Sequence, residues 1–329
     1  TRAAAFQAAE TQATTSQAAE TQATTSQAAE TQATTSQAAE TRTPVAPTEQ
    51  IVLDLTAPLD APNPYKGLRA FQAADALDFF GREALTQRLL ARLRDQVDAA
   101  RFLAVVGPSG SGKSSVVGAG LVPAIHRGAL PGSDKWFVVQ LLPGAHPLEE
   151  LEIGLLRIAA RHPAGLMEQL RRDERGLLRA ARLALPSDDS ILLLIIDQFE
   201  EVFLQTDARQ TDARAQDKAE TAHLLNLLLA AITDPRSPLR IVVTLRADFY
   251  DRPLMYPNFG ELMRQRTEVI VPLTTDELAR AITGPAERVG AVLEPGLATA
   301  IIADVNEQSG ALPLLQYALT ELYERREGH

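Results

Sequence analysis

The chain has 329 residues, 45% of them apolar, with a formal net charge of −10 and a pI near 5.1. An acidic balance disfavours nonspecific binding to nucleic acid or to an anionic membrane, since both draw on basic surface. With no cysteine at all, disulfides, thiolate metal sites and cysteine nucleophiles are excluded. No apolar run approaches the roughly 20 residues that a membrane span needs, Ile191–Ile196 being among the longest, and the N-terminus lacks the charged and apolar regions of a signal peptide. The sequence therefore predicts a cytoplasmic protein with neither a membrane nor a nucleic-acid partner. It starts at Thr1 and stops inside a helical pattern, so a piece of a longer protein is expected.

In chain order, residues 1–40 come first, with a ten-residue period. Thr1–Glu10 is a divergent copy, and TQATTSQAAE then occurs three times unchanged from Thr11, Thr21 and Thr31. Ten is neither a heptad nor an eleven-residue period, and Thr-Thr-Ser opposes the helix that Ala and Gln favour, so a disordered spacer is expected. Residues 41–62 read as a Pro-rich linker, and the folded part is expected to begin near Asn63.

From there helical and strand periods alternate, the pattern of an α/β domain with a mostly parallel sheet flanked by helices. Leu85, Leu89, Leu90 and Leu93 share one face of a helix predicted over Gly81–Val97. Phe102–Val106 reads as a strand, Lys113–Ile125 as a helix, Trp136–Leu142 as a second strand, and Leu148–Leu185 as one or two helices interrupted at Pro163. The continuous apolar run Ile191–Ile196 predicts a strand buried on both faces. A short helix and then a polar loop are expected next, with the tandem QTDAR of Gln205–Arg214 as loop expansion. Leu239–Leu245 and Glu268–Val271 are further strand candidates. After Thr275 only helical patterns follow, through Glu324, so the domain plan is a core over residues 63–274 and a small helical subdomain over 275–329.

Gly107-Pro108-Ser109-Gly110-Ser111-Gly112-Lys113-Ser114 matches G-x-x-x-x-G-K-[ST] between a predicted strand and a predicted helix. Glycines let successive N–H groups curl inward onto phosphate oxygens, and the N-terminus of the helix adds its positive end. Lys113 would meet the β- and γ-phosphates, the Ser114 hydroxyl would ligate Mg²⁺, and Ser115 lies beside it. Asp197, at the end of the Ile191–Ile196 strand, is the expected second metal anchor. Glu200 or Glu201 would act on the attacking water, and the spacing does not choose between them. Arg246, emerging from the strand that ends at Leu245, is a candidate for contact with the γ-phosphate. The rival readings are a nucleotide-kinase-like phosphotransferase, whose P-loops also resemble GPSGSGK, and an ATP-binding regulatory module without hydrolysis.

Asn63-Pro64-Tyr65-Lys66-Gly67-Leu68, Phe80-Gly81-Arg82-Glu83, the P-loop, Asp197-Gln198-Phe199-Glu200-Glu201, Thr244-Leu245-Arg246-Ala247-Asp248-Phe249-Tyr250 and Gly310-Ala311-Leu312-Pro313-Leu314-Leu315 occur in one order. In that order the chain resembles the novel STAND family of bacterial P-loop NTPases, relatives of the NACHT and NB-ARC groups, over about Pro62–Arg326. The resemblance implies that Phe80, Gly81 and Arg82 serve the adenine side, that Arg246 is the sensor, and that Pro313 contacts nucleotide. It also implies an ATP/ADP switch with Mg²⁺, self-association in the ATP state, and effector and sensor domains elsewhere in the chain, often WD repeats. Gln198 stands where motor-type AAA+ ATPases carry a catalytic Glu, so turnover is expected to be slow. The resemblance also implies a winged helix beyond the last residues of this sequence.

Overall fold

The computed structural model describes residues 62–326, apart from 96–97, 162, 209–210 and 307–309. The repeat spacer and nearly all of the Pro-rich linker expected over residues 1–62 lie outside the described residues.

Five parallel strands form one sheet in the order β2-β3-β4-β1-β5: β1 Phe102–Gly107, β2 Phe137–Leu141, β3 Leu192–Ile196, β4 Leu239–Arg246 and β5 Thr267–Val269. The expected strands are present within a residue or two of their predicted ends. Strands β1, β3 and β4 are apolar because both faces are covered, and successive side chains go to opposite sides. Phe102, Ala104 and Val106 of β1 join Leu192, Leu194 and Ile196 of β3 and Ile241, Val243 and Leu245 of β4 in one core. Leu103, Val105, Leu193, Ile195 and Val242 join Val116, Val117, Leu121 and Ile125 of the helical stretch after the P-loop in the other. That parity decides the site. Residues 107, 197 and 244 continue the second set, so Gly107, Asp197 and Thr244 face the side where that helical stretch lies.

Leu148–Leu185 folds as three helices, Pro147–Ile158, Leu166–Arg172 and Gly176–Ala184. The extra break follows Arg172, at the turn through Asp173 and Arg175. The polar loop expected around Gln205–Arg214 is instead helical on both sides of residues 209–210, in Glu201–Ala208 and Thr211–Thr233. The tandem QTDAR holds no Gly or Pro, and its Ala, Arg and Gln favour helix. Leu224, Leu225, Leu227, Leu228, Ala231 and Ile232 then pack the long helix into the core.

Beyond β5, Thr274 opens the helix Thr275–Arg288 with a capping box: its hydroxyl accepts the Glu277 N–H (3.3 Å), and Glu277 Oε2 accepts the Thr274 N–H (2.9 Å). This helix packs with Leu297–Asn306 and Leu312–Glu324 around a third, separate core of Tyr65, Leu278, Ile282, Ala286, Leu315, Leu319 and Tyr323. The helical tail was predictable, but the membership of Tyr65, some 200 residues upstream, was not. Among the described residues no helix is long and apolar enough to cross a membrane.

Candidate functional site

Strand β1 delivers Gly107 to a turn through Ser109–Gly112. Gly112 lies in the left-handed region and starts the helix at Lys113. Lys113 is buried, and its ammonium donates to the carbonyls of Gly107 (3.0 Å) and Pro108 (2.9 Å). Burial pushes it below the ordinary lysine range, against the pull of the Glu200 carboxylate. Ser111 Oγ is buried without a partner. An orphaned donor, a lysine bonded only to loop carbonyls and a glycine-lined curl are what an anion of phosphate size would satisfy.

The helix that follows Lys113–Ser115 widens into a π-helix over Val116–Leu121 before it resumes as Val122–His126. Its glycines are points of close approach. A Cβ on Gly118 would lie 2.9 Å from the Phe71 carbonyl, and one on Gly120 would lie 2.6 Å from Thr86 Oγ1.

The parity of the strands brings the metal end together. Ser114 Oγ donates to Asp197 Oδ1 at 2.8 Å, and Thr244 Oγ1 donates to the same oxygen. Thr244 is fully buried on β4, between β1 and β3, and also accepts the Gln198 N–H at 2.9 Å. A hydroxyl and a carboxylate already in contact form a hard-oxygen pair that fits Mg²⁺. Sequence reasoning missed Thr244. Its only signal was its place two residues before Arg246, on the face shared with Asp197. Gln198 has φ +53, alone among the described non-glycine residues in having a positive φ. Backbone strain of this kind is stored where surrounding contacts over-determine it.

The two glutamates part company. Glu200 is buried, and its Oε2 accepts the backbone N–H of Arg246 (3.2 Å). Burial raises its carboxyl above the usual range, although Lys113 and Arg246 both act to lower it. Glu201 turns the other way and accepts the Gly144 N–H (3.1 Å), with burial raising it too. It lines a cleft of about 550 Å³ together with Ser114, Asp197, Gln198, Gln140, Glu150 and Arg157.

Arg246 ends β4 directly beside Gly107 of β1. Its guanidinium is held by Asp248 in two bonds, Nε to Oδ1 (3.1 Å) and Nη2 to Oδ2 (2.7 Å), and that carboxylate raises it above the ordinary arginine range.

Of the residues expected on the adenine side, Arg82 is buried and donates to the carbonyls of Val271 (3.0 Å) and Ser111 (3.3 Å), so it ties the P-loop to the segment after β5. Gly81 has φ +85, and a Cβ there would collide with the Glu277 carbonyl; only glycine meets both conditions. Phe80 packs its ring against Gly284 of the same helix. The Gly310–Pro313 segment lies directly on the P-loop. A Cβ on Gly110 would lie 3.1 Å from the Gly310 carbonyl and 3.2 Å from Pro313 Cδ, and the Ser109 carbonyl faces Gly310. Phe80–Arg82, the P-loop and Pro313 are thus one continuous assembly, while Asp197, Glu200 and Arg246 close its other end.

The family model described as Novel STAND NTPase 1 matches residues 64–329. No curated protein matches the chain. Among solved structures, the Aeropyrum pernix ORC1 protein in complex with DNA is 19% identical, with a TM-score of 0.49, covering 76% of this chain and 62% of that one. The Aeropyrum pernix ORC2 protein in ADPNP–ADP complexes is 18% identical, with a TM-score of 0.43, covering 74% of this chain and 61% of that one. The matched part of this chain spans about six-tenths of the length of either.

Proposed function

This chain belongs to the novel STAND NTPase 1 family, and from that premise we propose that it is an ATP-binding signalling switch that hydrolyses slowly. Exchange of ADP for ATP would drive self-association and the activation of an effector. The observation that carries the reading is the seating of Gly310–Pro313 on Gly110: the helical subdomain rests on the loop that would wrap the phosphates. A ligand shifts a conformational equilibrium only through contacts that differ between the two states. A γ-phosphate would supply such contacts at Lys113 and at Arg246, whose guanidinium Asp248 holds through Nε and Nη2.

In this reading Lys113, Ser111 and the backbone of Gly107–Ser115 bind the phosphates, and Phe80, Gly81, Arg82 and Pro313 border the base side. Ser114 and Asp197 would hold Mg²⁺, which supplies charge neutralisation to the phosphates when bound. Glu200 is the residue assigned to the attacking water, because its carboxylate is tied to the backbone of Arg246, the candidate γ-phosphate contact, whereas Glu201 is tied to Gly144. Slow turnover fits Gln198, which places an amide rather than a carboxylate directly after Asp197.

The test is to denature the purified chain and separate the released small molecules by chromatography. Stoichiometric ADP is the expected result. A protein that carries no nucleotide and takes up none with added ATP and Mg²⁺ would overturn the reading.

A further inference from the structure

The motif Asn63–Leu68 has no role in the site as described, yet it is built into the helical subdomain. Asn63 Oδ1 accepts the Tyr65 N–H (3.0 Å), and its Nδ2 donates to the Thr320 carbonyl (3.2 Å). The Lys66 N–H donates to Gln316 Oε1 (3.3 Å). Both partners lie on Leu312–Glu324, the helix that begins within the Gly310–Pro313 contact. Tyr65 is buried between the first and last helices of the subdomain. Its ring meets Tyr323 edge-on with centroids 6.3 Å apart, and its hydroxyl donates to the Ile282 carbonyl at 2.6 Å. Burial, with Tyr323 beside it, pushes that hydroxyl up to about 12.

The chain that continues from this segment reaches the P-loop helix. The Lys66 ammonium pairs with Asp75 (3.0 Å) and Asp78 (3.4 Å), and Asp78 in turn accepts from Arg288 of the subdomain (2.6 Å). A few residues on, the Phe71 N–H donates to Ser115 Oγ (3.2 Å), next to the Ser114 hydroxyl that meets Asp197. The contacts close a circuit from the P-loop through Gly310–Pro313, along Leu312–Glu324, across Asn63–Leu68 and through Phe71 back to Ser115.

We propose that Asn63–Leu68 is a clasp and Tyr65 a positioning residue: together they hold Gly310–Pro313 on the P-loop, and the strength of the clasp sets how fast bound nucleotide leaves. The inference rests on the nucleotide-site reading above. Tyr65→Phe keeps the ring and its contact with Tyr323 but deletes one buried hydrogen bond. It is expected to speed release of a fluorescent ADP analogue about fivefold, the share of one such bond. Asn63→Ala, whose two bonds are only part-buried where that of Tyr65 is buried, is expected to act in the same direction with about a twofold effect, and serves if Tyr65→Phe does not fold.

The decisive readout is a double-mutant cycle with Pro313→Ala. If the clasp works through that contact, the two effects on the release rate are strongly non-additive. A merely structural Tyr65 would leave release unchanged or combine with Pro313→Ala independently, and either result overturns the proposal. Failure of the broader reading looks different: the wild-type chain itself would then bind no ADP analogue.

Discussion

Lys113→Ala is expected to weaken ATP binding by about a hundredfold, the loss of two charge-assisted contacts of about 1.5 kcal/mol each. The lysine is buried, and its ammonium is bonded only to the Gly107 and Pro108 carbonyls at the mouth of the loop. Phosphate oxygens would replace those carbonyls as partners of a charge that burial already disfavours, and so regain the interaction that desolvation removes. Alanine leaves the glycine curl intact. Titration calorimetry with ATP and Mg²⁺ on both proteins measures the loss, with near-ultraviolet dichroism as the check on the fold. Equal affinity in the two would place the phosphates elsewhere than on this loop.

The second large effect is on turnover. Glu200→Gln is expected to lower the rate constant for hydrolysis about a hundredfold while ATP affinity stays near that of the wild type, because a positioned general base contributes to the chemical step. Glutamine keeps an oxygen to accept the Arg246 N–H, so the turn should persist. Glu201→Gln, by contrast, is expected to leave turnover within about threefold, since the bond from Gly144 survives in the amide. The pH profile gives an independent check. Burial raises the Glu200 carboxyl, so the protonated, inactive form persists to a higher pH than for a free glutamate. Activity should rise with pH along a limb displaced upward from the ordinary carboxylate range, and that limb should vanish in Glu200→Gln. A larger loss in Glu201→Gln than in Glu200→Gln would reverse the assignment.

What the sequence disclosed and what it hid follow from the range of each interaction. The P-loop was legible because a strand, a Gly-rich turn and a helix start within twenty residues, and each part carries its own local signal. Asp197 was legible because a strand buried on both faces leaves a mark in composition, and its first acidic residue must emerge at one edge. Thr244 was not, since its importance depends on the register of β4 against β3 and on which face position 244 shares with position 197. Neighbouring glutamates at a turn have the same chemistry. Only the fold shows that one accepts the Arg246 N–H and the other the Gly144 N–H. The long helix Thr211–Thr233 was hidden by a polar first half whose repeat reads as loop. The seat of Gly310–Pro313 on Gly110 joins residues two hundred positions apart, which no periodicity reports.

The proposed switch requires that nucleotide exchange move the helical subdomain relative to the P-loop core, and the absence of native cysteine makes that directly measurable. Arg171 lies on the exposed side of the core and Glu324 on the exposed end of the last subdomain helix. Spin labels on Arg171→Cys/Glu324→Cys report their separation by pulsed resonance, with ADP and then with a non-hydrolysable ATP analogue and Mg²⁺, both saturating. The account predicts a single distance with ADP and a distinct second population with the analogue. Identical distributions with both nucleotides bound would contradict it.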